Sequence, residues 1–304
     1  MKTFSMPAAS EKGDAVPCVL CGSENNFAPA LECEGFSFVK CRKCGLVQMN
    51  PQLSAENIIS RYSSTYGKDY LSYELANEES FLKLQQLALK DAGFAQFEKN
   101  LFNSLGSSQS GGQSSSQNSG SQCQEPKVID IGCATGSLIN YLREKKWQVT
   151  GVEISPCAEY ARKERGLDVR SVPLEENNFP DSHFDALLAS HLIEHLNNPM
   201  SFLKEAYRVL KPGGHVFITT PNINGFQAHV FKGRWRSAIF DHLYLFSNRT
   251  LIKMLKIAGF KIKSIHTWGG LAAGAASPWL KKIADFLAKR LNCGDVMIVN
   301  AVKE

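Results

Sequence analysis

From residue 127 onward the chain alternates short apolar runs with amphipathic stretches, and no other feature restricts its fold as tightly. "KVIDIG", "WQVTGVEI", "LDVRSV", "FDALLAS" and "HVFITTPN" read as buried strands. Between them, "SLINYLREKK", "SPCAEYARKER" and "NPMSFLKEAYRVLKPGG" read as helices. Ser155 is placed to cap the second, with Pro156 at its first helical position. Asn198-Pro199 opens the third, and Gly213-Gly214 closes it. Strands separated by helices of this length give a doubly wound, mostly parallel sheet, an α/β fold. "TLIKMLKIAGF" adds a helix, and "KIKSIHTW" and "DVMIVNAV" close the sheet edge, which brings the count to seven strands. The amphipathic stretch from Pro278 to Leu291 is expected to pack as a helix between the last two strands rather than lie on a membrane surface.

The first 50 residues carry a different signal. Four of the nine cysteines form two pairs, Cys18-x-x-Cys21 and Cys41-x-x-Cys44, each followed by glycine in "CVLCG" and "CRKCG". A turn at each knuckle lets two thiolates converge, and two knuckles complete a tetrahedral structural zinc site. The segment between them, with "LECEGFSFVK", fits a short hairpin. Cys33 lies inside it and is a spare. Four reduced structural cysteines or a redox pair are the alternative. Residues 51–103 place apolar side chains at three- and four-residue steps and read as mainly helical. Residues 104–124, "SLGSSQSGGQSSSQNSGSQCQ", are Ser/Gln/Gly-rich and read as a flexible connector. The expected plan is therefore a zinc ribbon at 1–50, a helical segment at 51–103, a linker at 104–124 and an α/β domain at 125–304.

A net charge of +5, with both signs spread along the chain, gives no basis for expecting nucleic acid or anionic lipid as a partner. No apolar run reaches the roughly 18–20 residues of a membrane span. The N-terminus lacks the apolar centre of a signal peptide, and paired cysteines suit a reducing compartment. A cytoplasmic protein is the expectation.

The first strand of the α/β domain ends in "VIDIGCATG". Glycine at a strand-to-helix turn lets a ligand approach the backbone and the helix N-terminus. Glu153 ends the second strand 21 residues after Gly132, where a carboxylate can accept from both hydroxyls of a ribose. Small residues recur at Gly132, Ala134 and Gly136, which differs from the dinucleotide pattern G-x-G-x-x-G. Asp130, two residues before the first glycine, could pair with an amino group.

"VIDIGCATG", Glu153, "FPDSHFDALLASHLIEHLNNP" and "LKPGGHVFITTPN", in this order and spacing, resemble class I S-adenosylmethionine-dependent methyltransferases over about residues 125–304. With the cysteine module in front, the chain is similar to the zinc-ribbon-bearing members of sugar and natural-product pathways. The resemblance implies S-adenosylmethionine as cofactor and a small-molecule acceptor. It implies that Asp130 holds the methionine amino group, and that Gly132, Cys133, Ala134 and Gly136 form the loop along which the cofactor passes. Glu153 would bind the ribose hydroxyls, Ile154 would pack on the adenine, and the segment Val172–Glu175, with Leu174, would meet the adenine edge. Ser190 and His191 would lie beside the reactive sulfonium. The family usually has glycine where Ala134 stands; alanine fits if the backbone there keeps negative φ.

The acceptor side should follow the fifth strand, beyond the carboxyl ends of the strands. There "FDHLYLFS" resembles the acidic-His pair and aromatic run of zinc-bearing sugar C-methyltransferases, which implies His242 as base with Asp241 beside it. Histidine titrates near neutral pH, which suits a base. A buried histidine bonded to backbone is the alternative. Tyr62, Tyr66 and Tyr70 are candidates to line the acceptor pocket, and Lys232, Arg234 and Arg236 to receive an anionic group. "HLIEH" matches the H-x-x-E-H of one class of zinc proteases, but Asn197-Asn198-Pro199 stops the segment after little more than a turn. The match is accidental, and His191 is instead an active-site candidate. A nucleic-acid or protein methyltransferase gripping its target through the zinc module, and a non-catalytic cofactor-binding protein, are the competing functions.

Overall fold

The computed structural model describes residues 14–52, 65–107, 125–270 and 277–304. Tyr62, the side chain of Tyr66 and most of the expected linker lie outside them. The cysteine knuckles form as their spacing requires. Gly22 N donates to Cys18 O at 2.8 Å and Gly45 N to Cys41 O at 2.8 Å. Both glycines have positive φ, 67° and 84°, a conformation that a side chain would strain. β1 (Phe27–Cys33) and β2 (Phe36–Cys41) form the expected antiparallel hairpin, and β3 (Val47–Met49) pairs with β2.

The ribbon does not end at residue 50 as a separate body. β3 pairs antiparallel with β9 (Tyr244–Leu245), with Val47 opposite Leu245 and Gln48 opposite Tyr244. Phe38, Leu46 and Met49 share one buried cluster with Leu243, Phe246 and the core of the α/β domain. A two-residue strand 195 residues away has no signature in sequence, so this seam was not predicted.

Two helices follow, α1 (Thr65–Asp91) and α2 (Phe94–Ser107), separated by a turn at Gly93 with φ 84°. α2 continues through residues 104–107, past the expected start of the linker. Its apolar side docks on Trp147, which packs against Phe94, Phe97 and Phe102 at centroid distances of 5.6, 6.3 and 5.9 Å. Trp147 Nε1 also donates to Glu98 at 2.8 Å. Tertiary packing thus overrides the polar composition of the helix end.

The α/β domain comprises β4 (Lys127–Ile131), α3 (Ser137–Glu144), β5 (Gln148–Val152), α4 (Cys157–Arg165), β6 (Val169–Arg170), β7 (Phe184–Ser190), α5 (Pro199–Val209), β8 (Leu210–Pro221), α6 (Phe226–Phe231), α7 (Asn248–Ile257), β10 (Lys261–Trp268), α8 (Pro278–Arg290) and β11 (Val296–Val302). The seven-stranded order is β10-β11-β8-β7-β4-β5-β6, parallel from β8 to β6, with β11 and β10 antiparallel. Chain order reverses at β4, whose neighbours are β5 and β7. Ligands bind at such a switch point, beyond the carboxyl ends of the strands.

Local signals held, with one correction. Ser155 Oγ accepts from Cys157 N at 3.3 Å, and Pro156 already has helical dihedrals. Asn198 Oδ1 accepts from Ser201 N at 3.0 Å. However, α5 ends at Val209, not at Gly213-Gly214, which lie inside β8. Leu210 turns extended because Phe184 pairs with it across β7. α8 packs on one side only: Ala288 is buried against β10, while Trp279 is 68% and Phe286 63% exposed. The helix thus lies between the last two strands and packs on β10, as expected, but it does so through a small residue while the large apolar ones face outward.

Candidate active site

The end of β4 is tied to the end of β5: Gly132 N and Cys133 N both donate to Val152 O, at 2.8 and 3.2 Å. Two carboxylates are thereby brought together below the loop 132–136. Asp130 is only 2% exposed, and its Oδ1 has no hydrogen-bond partner. Burial pushes its carboxyl up to about 8, and the charge of Glu153 adds to the shift. Glu153 is held more fully: Oε2 accepts from Ala134 N at 3.0 Å and Oε1 from Ser155 N at 2.8 Å. A carboxylate offers about four acceptor positions, so room for two hydroxyl donors remains. Ile154 is 40% exposed beside it, an apolar surface available to a flat ring.

One expectation for this loop needs correcting. Ala134 has φ 47°, so it occupies the left-handed region rather than the negative φ that alanine prefers. Holding a Cβ there costs roughly 1–2 kcal/mol. Ala134→Gly is expected to raise stability by about 1 kcal/mol or less, glycine's extra unfolded-state freedom offsetting part of the gain; a denaturant midpoint measures it. Gly136, φ 79°, is also required by the packing: a Cβ would lie 2.6 Å from Leu167 Cδ1 and 3.3 Å from Ala161 Cβ. Cys133 turns its side chain inward, where the thiol reaches Ala134 O at 4.0 Å. Its side chain is buried with Ile139 and Val169, and burial raises its thiol well above the ordinary range. Leu174 is likewise closed off, 1% exposed, whereas nearby Val172 is 41% exposed. In the segment expected to meet the adenine edge, the open residue is therefore Val172.

α1 supplies residues that sequence reasoning missed. Glu78 pairs with Arg165 at 2.6 Å and accepts from Thr135 Oγ1 of the cofactor loop. One turn earlier, Glu74 accepts a hydrogen bond from Tyr70. Burial pushes its carboxyl up to about 7, with the charges of Glu153 and Glu78 adding. Carboxylates from α1 thus close the loop from above. Of the three tyrosine candidates, Tyr70 alone has a described side chain, and it bonds Glu74.

On the other side of the switch point, β7 delivers Ser190 and His191. His191 has φ 52° and its N donates to Thr219 O at 2.8 Å. Its ring is open to solvent, and Nδ1 lies 3.3 Å from Glu194 Oε1. Glu194 is 1% exposed in the short turn Ile193–His195, and Thr220 Oγ1 donates to its Oε2 at 2.9 Å. Although burial opposes ionisation, His191, with His195 and His242 beyond it, holds the Glu194 carboxyl down at about 2. His242 is buried behind this pair: Nδ1 donates to Ser237 O at 2.8 Å, and burial drives its imidazole down to about 3. It packs edge-on against His195 at 4.6 Å, and His195 Nδ1 donates to Asp241 O at 2.9 Å. Ligand atoms of Glu194, His195 and His242 lie within 4.8 Å of one another. A cation could use such a set: Thr220 bonds Oε2, while Oε1, 3.3 Å from His191 Nδ1, makes no hydrogen bond.

The basic loop serves another purpose than the expected one. Arg236 Nε donates to buried Asp295 at 2.6 Å, and Trp235 Nε1 donates to the same carboxylate at 2.5 Å. A Cβ on Gly233 would strike Glu32 O at 1.9 Å. The loop is a clamp between ribbon and sheet; Lys232 and Arg234 point to solvent.

In the ribbon, Cys18 Sγ lies 3.4 Å from Cys44 Sγ and Cys21 Sγ 3.6 Å from Cys41 Sγ, and all four sulfurs lie within 4.8 Å of one another. Tetrahedral Zn–S bonds of about 2.3 Å require S···S separations of about 3.8 Å. The donor set fits zinc, and Cys33 stands outside it.

This fold and this loop define a cofactor-dependent methyltransferase architecture, and the sequence comparisons agree. The family described as "Methyltransferase domain" matches residues 101–265, more than half of the chain; the chain belongs to it. Among curated relatives, the ubiquinone biosynthesis O-methyltransferase of Rattus norvegicus is 32% identical over 154 residues, 47% of this chain and 39% of that protein. Its namesake from Pseudomonas entomophila is 33% identical over 106 residues, 32% of this chain and 45% of that protein. The chain thus spans less than half the length of these relatives. A Thermotoga maritima SAM-dependent methyltransferase superposes with a TM-score of 0.48 at 24% identity, covering 60% of this chain and 83% of that one. Among the described residues no helix is long and apolar enough to cross a membrane.

Proposed function

We propose that the chain transfers the methyl group of S-adenosylmethionine to a hydroxyl oxygen of a small-molecule acceptor, with zinc held in the four-cysteine ribbon. The observation that carries this reading is Asp130: a buried carboxylate oxygen without a partner, beside Glu153, at the sheet's switch point. Such an atom calls for a cationic donor, and the cofactor's ammonium is one. Bound there, the cofactor supplies a methyl group already activated by its sulfonium. The O-methyltransferase names of the relatives favour oxygen as the atom methylated. A sugar hydroxyl and a quinone-related phenol are both acceptors of this class. A reducing, cytoplasmic setting suits thiolate ligands of this kind.

The protein's own part is binding, alignment and one proton transfer. Asp130 and Glu153 fix the two ends of the cofactor, and α1 keeps water from the loop. Alignment of this kind supplies roughly 7–11 kcal/mol of the barrier. His191 is the better-placed base than His242. Its Nδ1 faces Glu194, which leaves Nε2 free to take the acceptor proton, the arrangement of a base oriented by a carboxylate. His242, closed off and hard to protonate, positions the pair from behind.

Calorimetry against S-adenosylmethionine should show saturable binding, and products heavier by one methylene should appear with hydroxylated acceptors. His191→Ala is expected to cut turnover by about 10²–10⁴-fold while leaving cofactor affinity within a few fold. No heat at millimolar cofactor would end the whole reading. Full turnover in His191→Ala would end only its role as base.

A further inference from the structure

We propose that Glu194, His195 and His242 form a second metal site, which holds a divalent first-row transition ion beside His191 and presents it to the acceptor oxygen; this use of the ion rests on the function proposed above. Backbone contacts bring the three residues together. His195 Nδ1 donates to Asp241 O at 2.9 Å, and Leu243 N donates to Glu194 O at 2.8 Å. The turn after β7 is thereby stitched to the segment before β9 on either side of His242. Ligand atoms of the three side chains lie within 4.8 Å of one another. Donors about 2.1 Å from a common ion stand roughly 3.4 Å apart in a tetrahedral shell, so a small closure of the side chains brings the set to bonding distance.

The hydrogen bonds around the set are those of ligands. A carbonyl oxygen can only accept, so His195 Nδ1, facing Asp241 O, and His242 Nδ1, 2.8 Å from Ser237 O, each carry the ring proton. Each neutral ring keeps its lone pair on Nε2, where a metal binds. Backbone carbonyls that fix the tautomer and aim of an imidazole are regular supports of metal ligands. Glu194 divides its oxygens in the same way. Thr220 Oγ1 donates to Oε2 at 2.9 Å, while Oε1, on a residue 1% exposed, makes no hydrogen bond. A buried carboxylate oxygen without a donor calls for a cation. Two imidazoles and one carboxylate select zinc-like ions over magnesium, which suits oxygen ligands. Three protein ligands leave one coordination place open. His191, exposed and with Nδ1 3.3 Å from Oε1, stands beside it. An acceptor hydroxyl bound there is acidified by the ion. Its proton passes to His191 Nε2, its oxygen forms the bond to the methyl carbon, and the electron pair of the broken S–C bond stays on sulfur.

The test counts metal by calorimetry and elemental analysis in protein whose ribbon already holds zinc. The wild type should take up a further equivalent of zinc or cobalt, which magnesium in large excess does not displace. Glu194→Gln and His195→Ala should lose that equivalent while keeping the ribbon's zinc, and should bind S-adenosylmethionine within a few fold of the wild type, which shows that they fold. Thr220→Val, which removes only the bond to Oε2, should weaken the ion by about 10–100-fold. A chelator strips both sites, whereas Cys41→Ser with Cys44→Ser strips the ribbon alone. A wild type that stops at the ribbon's zinc, or ligand variants that keep the further equivalent, overturn the proposal. Full methyl transfer by protein holding only the ribbon's zinc overturns the use of the ion and leaves the transferase reading intact. No heat with S-adenosylmethionine sinks that reading and the use of the ion with it, while the metal count still decides the site.

Discussion

Asp130→Asn is expected to lose cofactor affinity by roughly 100-fold or more while making the ligand-free protein more stable. The two effects have one cause. Asp130 is 2% exposed with a partnerless Oδ1, so the free protein bears the desolvation of a carboxylate that nothing offsets. Removing the charge relieves it, by about 1–3 kcal/mol on the scale of unpaired buried polar groups. The cofactor's ammonium then enters a buried site with no counter-charge, and loss of a desolvated ion pair costs about 2–5 kcal/mol. The pH dependence has a definite sign. The folded-state carboxyl lies at about 8, against an ordinary value of 3.8. A carboxyl raised on folding disfavours the folded state increasingly as pH climbs from about 4 to about 8. The wild-type melting temperature should therefore fall across that window relative to Asp130→Asn, and the gap should close toward pH 4. Equal melting temperatures at pH 8, or unchanged affinity in the variant, would contradict the assignment.

The parts of this site that could be read in the sequence are those made by one strand and the turn after it. "VIDIGCATG" places Asp130 and Gly132 at the end of a buried strand, and Glu153 follows one βα unit later. Period and glycine placement are local, so they survive without coordinates. The cysteine knuckles are local in the same way. What was illegible depends on long-range partners. Nothing near Glu78 announces that Arg165 and Thr135 will hold it, and nothing near Tyr244 announces that Gln48 will pair with it. The same limit misled the reading of particular residues. Ala134 adopts φ 47° with its N–H bound by Glu153, a partner from the end of the next strand. His242 resembled a base by its motif, but the alternative, a buried histidine bonded to backbone, is the arrangement found, with Ser237 O as its partner. His191 was an active-site candidate from its place at the strand end, but the buried Glu194 beneath its ring was not foreseen. "HLIEH" was correctly set aside as a protease motif, but its glutamate and second histidine do come together, through His242, 47 residues further along.

The ribbon is where this long-range construction has the largest consequence. Zinc removal by a strong chelator, or the double change Cys41→Ser with Cys44→Ser, is expected to lower methyl transfer by two orders of magnitude or more while cofactor binding changes by only a few fold. Structural zinc sites supply folding free energy directly, apparent values running to about 10–16 kcal/mol in isolated fingers. Without it the knuckles release β2 and β3, and with them the pairing of Gln48 with Tyr244 and the bond from Met49 N to Leu243 O, 2.8 Å. Leu243 in turn donates its N–H to Glu194 O at 2.8 Å. A chain of three backbone contacts therefore runs from the cysteine knuckles to the backbone of Glu194, whose carboxylate lies beside His191. Asp130 and Glu153 stand on β4 and β5, outside that chain. The discriminating measurement pairs turnover with calorimetry on the same zinc-depleted sample. Lost turnover with retained cofactor heat supports the seam as the route by which the ribbon reaches the chemistry. Full turnover after complete zinc loss would reduce the ribbon to an appendage, and loss of both signals would mean that the α/β domain cannot hold its own core without it.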